Sequence, residues 1–394
     1  MQTKYPFKNR FIYSILEYFF WVFFKFSPRR KNIKNDYVNL LIIEPYQMGD
    51  VVSLSSMLDP VLDNNPNIRI FLIIKSSNIS IFEHDPRIYR QLTLDLPWTQ
   101  HGKLNYLSFF KNSISFFKSI NEIRNNYSFN FGLDPRGDIK NQIILRYLEC
   151  NKIIGYSKLL GTNIRTHALL LDKSVNPNKK YLQRYSWNRY LLTGIDISES
   201  DLFPIKFPIL RKLQYHSHNK DGFNFVIHIG SGWIYRRWPI EKWVNFIKKV
   251  ITCYPLVRIN IICGISELDI YNDISKINFK EKLDFNPLIK ISLLKEYKEL
   301  YSVINNSSLF MGLDSGPLHI ADSLNVPVLG LYGPGNSEIW KPVSLNSVFV
   351  HKIENFNCHP CNQRNCVFPN SNCMDAISVE EVFELFKNIL KKIS

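Results

Sequence analysis

Residues 38–62 read VNLLIIEPYQMGDVVSLSSMLDPVL. The run 38–43 is apolar and largely branched, as a parallel strand covered on both faces must be. It stops at Glu44-Pro45, passes through Met48-Gly49-Asp50, and continues from Val51 to Leu62 at helical spacing. Strand, glycine turn and helix in direct succession are the opening of a βα unit.

The alternation continues outward from that stretch. Further strands are expected at 68–74, 129–133 and 152–155, with helices at 106–125 and 181–192, which makes one α/β domain from 37 to 205. Residues 203–222 (FPIKFPILRKLQYHSHNKDG) hold two prolines and no sustained period, so 206–222 reads as a linker. A second βα series follows over 223–355. Strands are expected at 223–228, 257–263, 309–312 and 326–331, and helices at 240–252, 295–305 and 316–324. The chain is therefore α/β, with two doubly wound domains in tandem facing across a cleft. In the tail, 356–394, a closing helix is signalled by Ser378 and Glu381 as a capping box and by Ile377 stapling onto Val382.

The 394 residues are 45% hydrophobic, 14% aromatic and 21% charged, which excludes a disordered chain and a polytopic membrane protein. The net charge of +15 favours anionic partners: nucleic acid, a phosphorylated glycolipid or a membrane surface. Nucleic acid is set aside, because helix-turn-helix, zinc-finger and aromatic RNA-binding signatures are missing. Residues 1–36 carry eight basic against two acidic side chains around the aromatic run FIYSILEYFFWVFFKF at 11–26. That run is shorter than the roughly 20 residues of a spanning helix. No small-residue cleavage site follows it. It reads as an interfacial helix with basic ends on anionic headgroups, the alternative being a helix packed on the protein's own surface.

Two strand ends in the second half carry candidate chemistry. After 223–228 comes Ile229-Gly230-Ser231-Gly232-Trp233, then Arg236-Arg237-Trp238-Pro239. Glycines let backbone N–H groups approach an anion and arginines neutralise it, so this is a candidate diphosphate cradle, with a plain turn as the alternative. After 309–312 comes Asp314-Ser315-Gly316-Pro317-Leu318-His319, where a helix opening near Gly316 can present amides to phosphate. A Walker A sequence is missing, and Gly230-x-Gly232 is followed by Tyr235, which leaves the dinucleotide fingerprint incomplete. An NTPase or a dehydrogenase is improbable on those grounds. With no D-x-D clamp, charge on a leaving diphosphate falls to arginine and helix N-termini.

Taken together, Met48-Gly49-Asp50-Val51, the pattern G-S-G-W-x-x-R-R-W-P-x-E-x-W at 230–243, D-S-G-P-L-H-x-A at 314–321 and P-V-L-G-L-Y-G-P at 327–334 resemble glycosyltransferase family 9, the ADP-heptose:lipopolysaccharide heptosyltransferases. The resemblance implies a GT-B fold of two Rossmann-like domains, acceptor on the N-terminal one and nucleotide-sugar on the C-terminal one. It implies inverting transfer, with heptose from ADP-heptose passing to a lipopolysaccharide-core-like or other surface glycan, and no cofactor required for catalysis. Asp50 would be the general base. Gly230, Ser231, Gly232, Arg236 and Arg237 would meet the diphosphate; Asp314, Ser315, Gly316 and His319 would line the nucleotide and sugar-phosphate pocket; Glu267 would match the ribose-binding acid. It also implies a place on the cytoplasmic face of the inner membrane, peripheral to it. Many members carry a basic residue and small polar residues before Met-Gly-Asp, where this chain has Glu44-Pro45-Tyr46-Gln47. The rival function on the same fold is a catalytically silent nucleotide-sugar or glycan-binding protein, against which Asp50 argues.

Four of the seven cysteines cluster as Cys358, Cys361, Cys366 and Cys373. In a reducing compartment such a cluster favours a structural zinc or iron over a disulfide, with free or paired thiols as the alternative.

Overall fold

Val38–Glu44 (β1) lies at the centre of a six-stranded sheet, flanked by Ile68–Ile74 (β2) and Phe131–Asp134 (β4). Arg90–Thr93 (β3), Lys152–Tyr156 (β5) and Lys173–Val175 (β6) complete it in the order β3-β2-β1-β4-β5-β6, every neighbouring pair parallel. Leu40, paired with Ile70 and Phe131, is fully buried, as a strand covered on both faces requires. The second sheet contains Asn224–His228 (β7), Arg258–Gly264 (β8), Ile289–Leu294 (β9), Leu309–Leu313 (β10), Val328–Tyr332 (β11) and Val348–His351 (β12). Its order, β12-β11-β10-β7-β8-β9, repeats the winding of the first. In this computed structural model the chain divides into two compact units, Met1–Ile205 and Lys206–Ser394, one sheet in each. The structure describes residues 18–25, 37–97, 106–157, 168–176, 179–210, 222–280, 288–354, 356–358, 361, 366–369 and 371–393.

Winding of this kind reverses direction beside its first strand, between β1 and β4 in one unit and between β7 and β10 in the other. Loops leaving the carboxyl ends of those strands diverge there and open a crevice. Glu44, Asp50, Asp134 and Asp314 lie at or directly beyond the ends of β1, β4 and β10, and Glu267 and Asp269 follow β8.

The helix expected over 51–62 is two helices, Met48–Ser53 and Ser55–Asn64, with Leu54 between them. Hydroxyls cause the break: Ser53 Oγ donates to the carbonyl of Asp50, Ser55 Oγ to Val52 and Ser56 Oγ to Ser53, so side chains compete for the helix acceptors. The helix expected over 181–192 is shorter, Arg184–Leu191, with Gln183 Oε1 accepting from the N–H groups of Tyr185 and Ser186. Of the linker expected over 206–222, residues 211–221 lie outside the described residues.

The second core is aromatic, with Trp238, Trp243, Phe246 and Phe386 all buried. The C-terminal helix Val379–Ile393 supplies Phe386, whose ring lies 5.0 Å from that of Phe225 on β7. Ser378 Oγ caps it by accepting from Glu381 N at 3.2 Å; the Glu381 carboxylate pairs with Lys352 at 2.9 Å. The tail is tied to the sheet unit by Trp238 Nε1, donating to Ile377 O at 3.1 Å, and by Lys242 Nζ, donating to Asp375 O and Ile377 O.

Of the aromatic run at 11–26, residues 18–25 are helical, with Tyr18, Phe19 and Phe23 exposed; its other residues lie outside the described ones. The helix Tyr106–Asn126 buries Phe116, Ile120 and Ile123 and exposes Phe110, Ile114 and Phe117 on another face, beside Lys111 and Lys118. Among the described residues no helix is long and apolar enough to cross a membrane.

Candidate active-site groups at the two switch points

In the first unit Asp50 occupies the first turn of the helix Met48–Ser53, directly beyond the end of β1. Its Oδ1 lies 3.1 Å from a guanidinium nitrogen of Arg136 and 3.6 Å from one of Arg184. Arg136 comes from the loop after β4, across the switch point, and Arg184 from the start of its helix. Glu44, the last residue of β1, is fully buried beneath them; Arg184 reaches it at 2.6 Å and Arg136 at 3.4 Å. Burial, and then the charge of Asp50, pushes the Glu44 carboxyl up to about 7. Asp134 ends β4 and is also fully buried, and burial pushes it up to about 7 although Asn141 and Gln142 donate to it. The Arg136 guanidinium lies 4.3 Å from the centre of the Tyr46 ring, and Tyr46 donates to Asp138 at 2.5 Å. Glu44 and two arginines therefore converge on Asp50, which keeps about 10% of its side chain open to solvent. Glu44 entered the sequence reading only as a departure from the family pattern, and Arg136 and Arg184 did not enter it. The signal was the run Asp134-Pro-Arg136-Gly137-Asp138 at the end of a strand.

In the second unit the residues named from sequence fall into two linked groups. Arg236 donates to the carbonyl of Asp314 at 2.8 Å and pairs with its carboxylate at 3.2 Å, and His319 lies 3.5 Å from the other carboxylate oxygen. Burial pushes Asp314 up, but Arg236 and then His319 outweigh it and hold the carboxyl below its ordinary range. The other group centres on His228 at the end of β7, 3.0 Å from Glu267 and 3.4 Å from Ser315 Oγ. Glu267 Oε2 also accepts from Gly264 N at 2.9 Å. Arg237 donates to the Ser231 carbonyl at 3.1 Å and pairs with Asp269 at 2.6 Å. Gly316 opens the helix Gly316–Ser323 immediately after Ser315. His228 closes the strand before the glycine loop and carries no assigned role in the sequence, and Asp269 was not singled out, because each acts through a partner far along the chain.

The two loop glycines differ. A Cβ at Gly230 would lie 2.0 Å from the Glu267 carboxyl carbon, so the protein itself requires glycine there. A Cβ at Gly232 would meet nothing within 4 Å, and its backbone does not need positive φ. Open space at a glycine beside two arginines is what a ligand approaching the backbone needs.

Cys358, Cys361, Cys366 and Cys373 line one cavity of about 20 Å3, room for a single water-sized occupant, walled also by Tyr235 and Pro334. Among the described residues no three His, Cys, Asp or Glu side chains form a group that could hold a metal ion. Burial and then neighbouring thiols push Cys373 up to about 11, and Cys358 rises for the same reasons, which favours the neutral thiols there.

Two parallel wound sheets, one in each unit, are the architecture of the GT-B class. The family model described as glycosyltransferase family 9 (heptosyltransferase) matches residues 116–372, and the chain belongs to that family and is a glycosyltransferase. Lipopolysaccharide heptosyltransferase 1 of Campylobacter coli is 23% identical over 308 residues, covering 75% of this chain and 84% of that protein. Lipooligosaccharide heptosyltransferase 2 of Campylobacter jejuni is 22% identical over 362 residues, covering 90% of this chain and 99% of its own. The solved structure of the E. coli heptosyltransferase WaaC with ADP-2-deoxy-2-fluoro heptose superposes with a TM-score of 0.67 at 13% identity, covering 89% of this chain and 99% of that one.

Proposed function

We propose that this glycosyltransferase moves heptose, with inversion, from ADP-heptose to a hydroxyl of a phosphorylated lipopolysaccharide-core-like acceptor. The observation that carries the reading is the placement of Asp50: a partly open carboxylate at a switch-point strand end, backed by Arg136 at 3.1 Å. In the reaction Asp50 takes the proton of the acceptor hydroxyl as that oxygen bonds to the anomeric carbon, and the bond from that carbon to the donor diphosphate breaks. Attack opposite the leaving group inverts the centre. The departing diphosphate is met by Arg236 and Arg237, with the open backbone at Gly232 and the N-terminus of the helix Gly316–Ser323 beside it. Asp314 and His319 hold Arg236 in place, and His228 with Glu267 and Ser315 set the wall of the nucleotide pocket.

The cysteine cluster takes a structural zinc or iron, held by Cys358, Cys361, Cys366 and Cys373. The acceptor class sets the working place, the cytoplasmic face of the inner membrane. The aromatic segment within 1–36 and the face of the helix Tyr106–Asn126 with Phe110, Ile114, Phe117, Lys111 and Lys118 suit such a surface: rings for the acyl boundary, lysines for anionic headgroups.

The test is a donor screen. Purified protein is given an acceptor extract and a mixture of ADP-, UDP- and GDP-sugars, and the nucleotide released is identified. Release of ADP from ADP-heptose alone is expected; release of UDP or GDP would contradict the donor assignment.

A further inference from the structure

The geometry points to Glu44 as a positioning residue that controls how readily Asp50 takes a proton, by holding Arg184 and sharing Arg136 with it. The inference rests on the reading of Asp50 as general base. Glu44 is a buried carboxylate at the end of β1, and the cations facing it come from two other elements: Arg136 after β4 and Arg184 at the head of the helix Arg184–Leu191. With Asp50 this puts two carboxylates and two guanidinium groups in contact, the pairs 2.6–3.6 Å apart.

The balance of that cluster decides what Asp50 does. With Glu44 ionised, each arginine is divided between two anions, and Asp50 remains a useful base. With Glu44 neutral, both arginines serve Asp50 alone, its anion is over-stabilised, and proton uptake from the acceptor becomes harder. Arg184 is tied to Glu44 and to the Pro135 carbonyl, both buried, so it cannot turn away to relieve the change. The other groups facing Glu44 do not replace its charge. Asp134 is engaged with Asn141 and Gln142, Asp138 accepts from Tyr46, and the Tyr156 hydroxyl donates to Trp187 O. Burial and Asp50 raise Glu44 to about 7, so this balance changes close to neutral pH.

The experiment compares Glu44→Gln, which keeps the shape and an acceptor for Arg184, with Arg136→Gln, which removes a cation from the same cluster. Log kcat is measured against pH with donor and acceptor both saturating, and donor Kd is measured separately. Glu44→Gln should lower kcat roughly tenfold and move the acid limb of the profile down by about one pH unit, with donor Kd unchanged. Arg136→Gln should move that limb the opposite way. Limbs that stay put, or that move together, overturn the proposal. Should Glu44→Gln fail to fold, Glu44→Asp takes its place: it draws the carboxylate back from Arg184, so its acid limb should move the same way by less than a full unit, and a limb that stays put overturns the proposal. Asp50→Asn run beside them separates the two levels: if it retains the parent rate, the general-base reading is wrong, whereas if it is inactive while both limbs stay put, only the role of Glu44 is lost.

Discussion

The carboxylate of Glu267 stands where a side chain at Gly230 would go, its carboxyl carbon 2.0 Å from that notional Cβ. Two residues on, Gly232 has no such neighbour. Gly230→Ala should therefore cost about 1–3 kcal/mol of stability by driving Glu267 off His228, seen as a lower unfolding midpoint. Gly232→Ala should unfold like the parent and raise the donor KM at least about tenfold. Equal donor KM in parent and Gly232→Ala would place the diphosphate elsewhere.

Asp314 should affect binding and stability together. Asp314→Asn loosens Arg236 and His319, so donor Kd in a calorimetric titration rises while the pH profile of kcat keeps its shape. The folded carboxyl sits below the ordinary value of 3.8, so its ionised form stabilises the fold. That contribution is complete above about pH 4 and is lost as pH falls through the lower folded value. The gap in unfolding midpoint between parent and Asp314→Asn should be wide at pH 6 and should close in stronger acid; a gap that widens in acid would reverse the sign assigned here.

Four thiols in one small cavity should contract around an ion. Protein purified without chelator is expected to hold one zinc or iron per chain by elemental analysis. Tyr235 and Pro334 wall the same cavity, and Tyr235 precedes Arg236 in the donor loop. Removing the metal should therefore weaken donor binding several-fold and lower the unfolding midpoint. A metal content at background level would end this assignment.

Much of the fold was legible because central parallel strands are apolar runs with few alternatives. The strand expected at 68–74 coincides with β2, and the other expected strands match to within two residues. The outer strands were not legible. β3 (RQLT) and β6 (KSV) are short and polar because an edge strand has one side without a neighbour. Helices Ile139–Tyr147 and Leu268–Lys280 also escaped, as their polar residues blur the period. In the site, motif residues such as Arg236 and Asp314 stand out by local pattern. Arg184 does not, since its meaning comes from Glu44, 140 positions earlier in the chain.

Membrane attachment should need both apolar surfaces. Deleting residues 1–34 should shift the protein toward the unbound fraction in sedimentation with anionic vesicles. Adding Phe110→Ser, Ile114→Ser and Phe117→Ser should complete the release, with transfer to a delipidated acceptor kept. A doubly altered protein that still sediments with vesicles at high salt would show that another surface binds.

The most direct test of the account is Asp50→Asn in a single-turnover assay, with enzyme in excess over ADP-heptose and acceptor saturating. Loss of transfer by at least about a thousandfold, with donor Kd within twofold of the parent, is the predicted result. Transfer within about tenfold of the parent would contradict it and leave Asp50 a structural partner of Arg136.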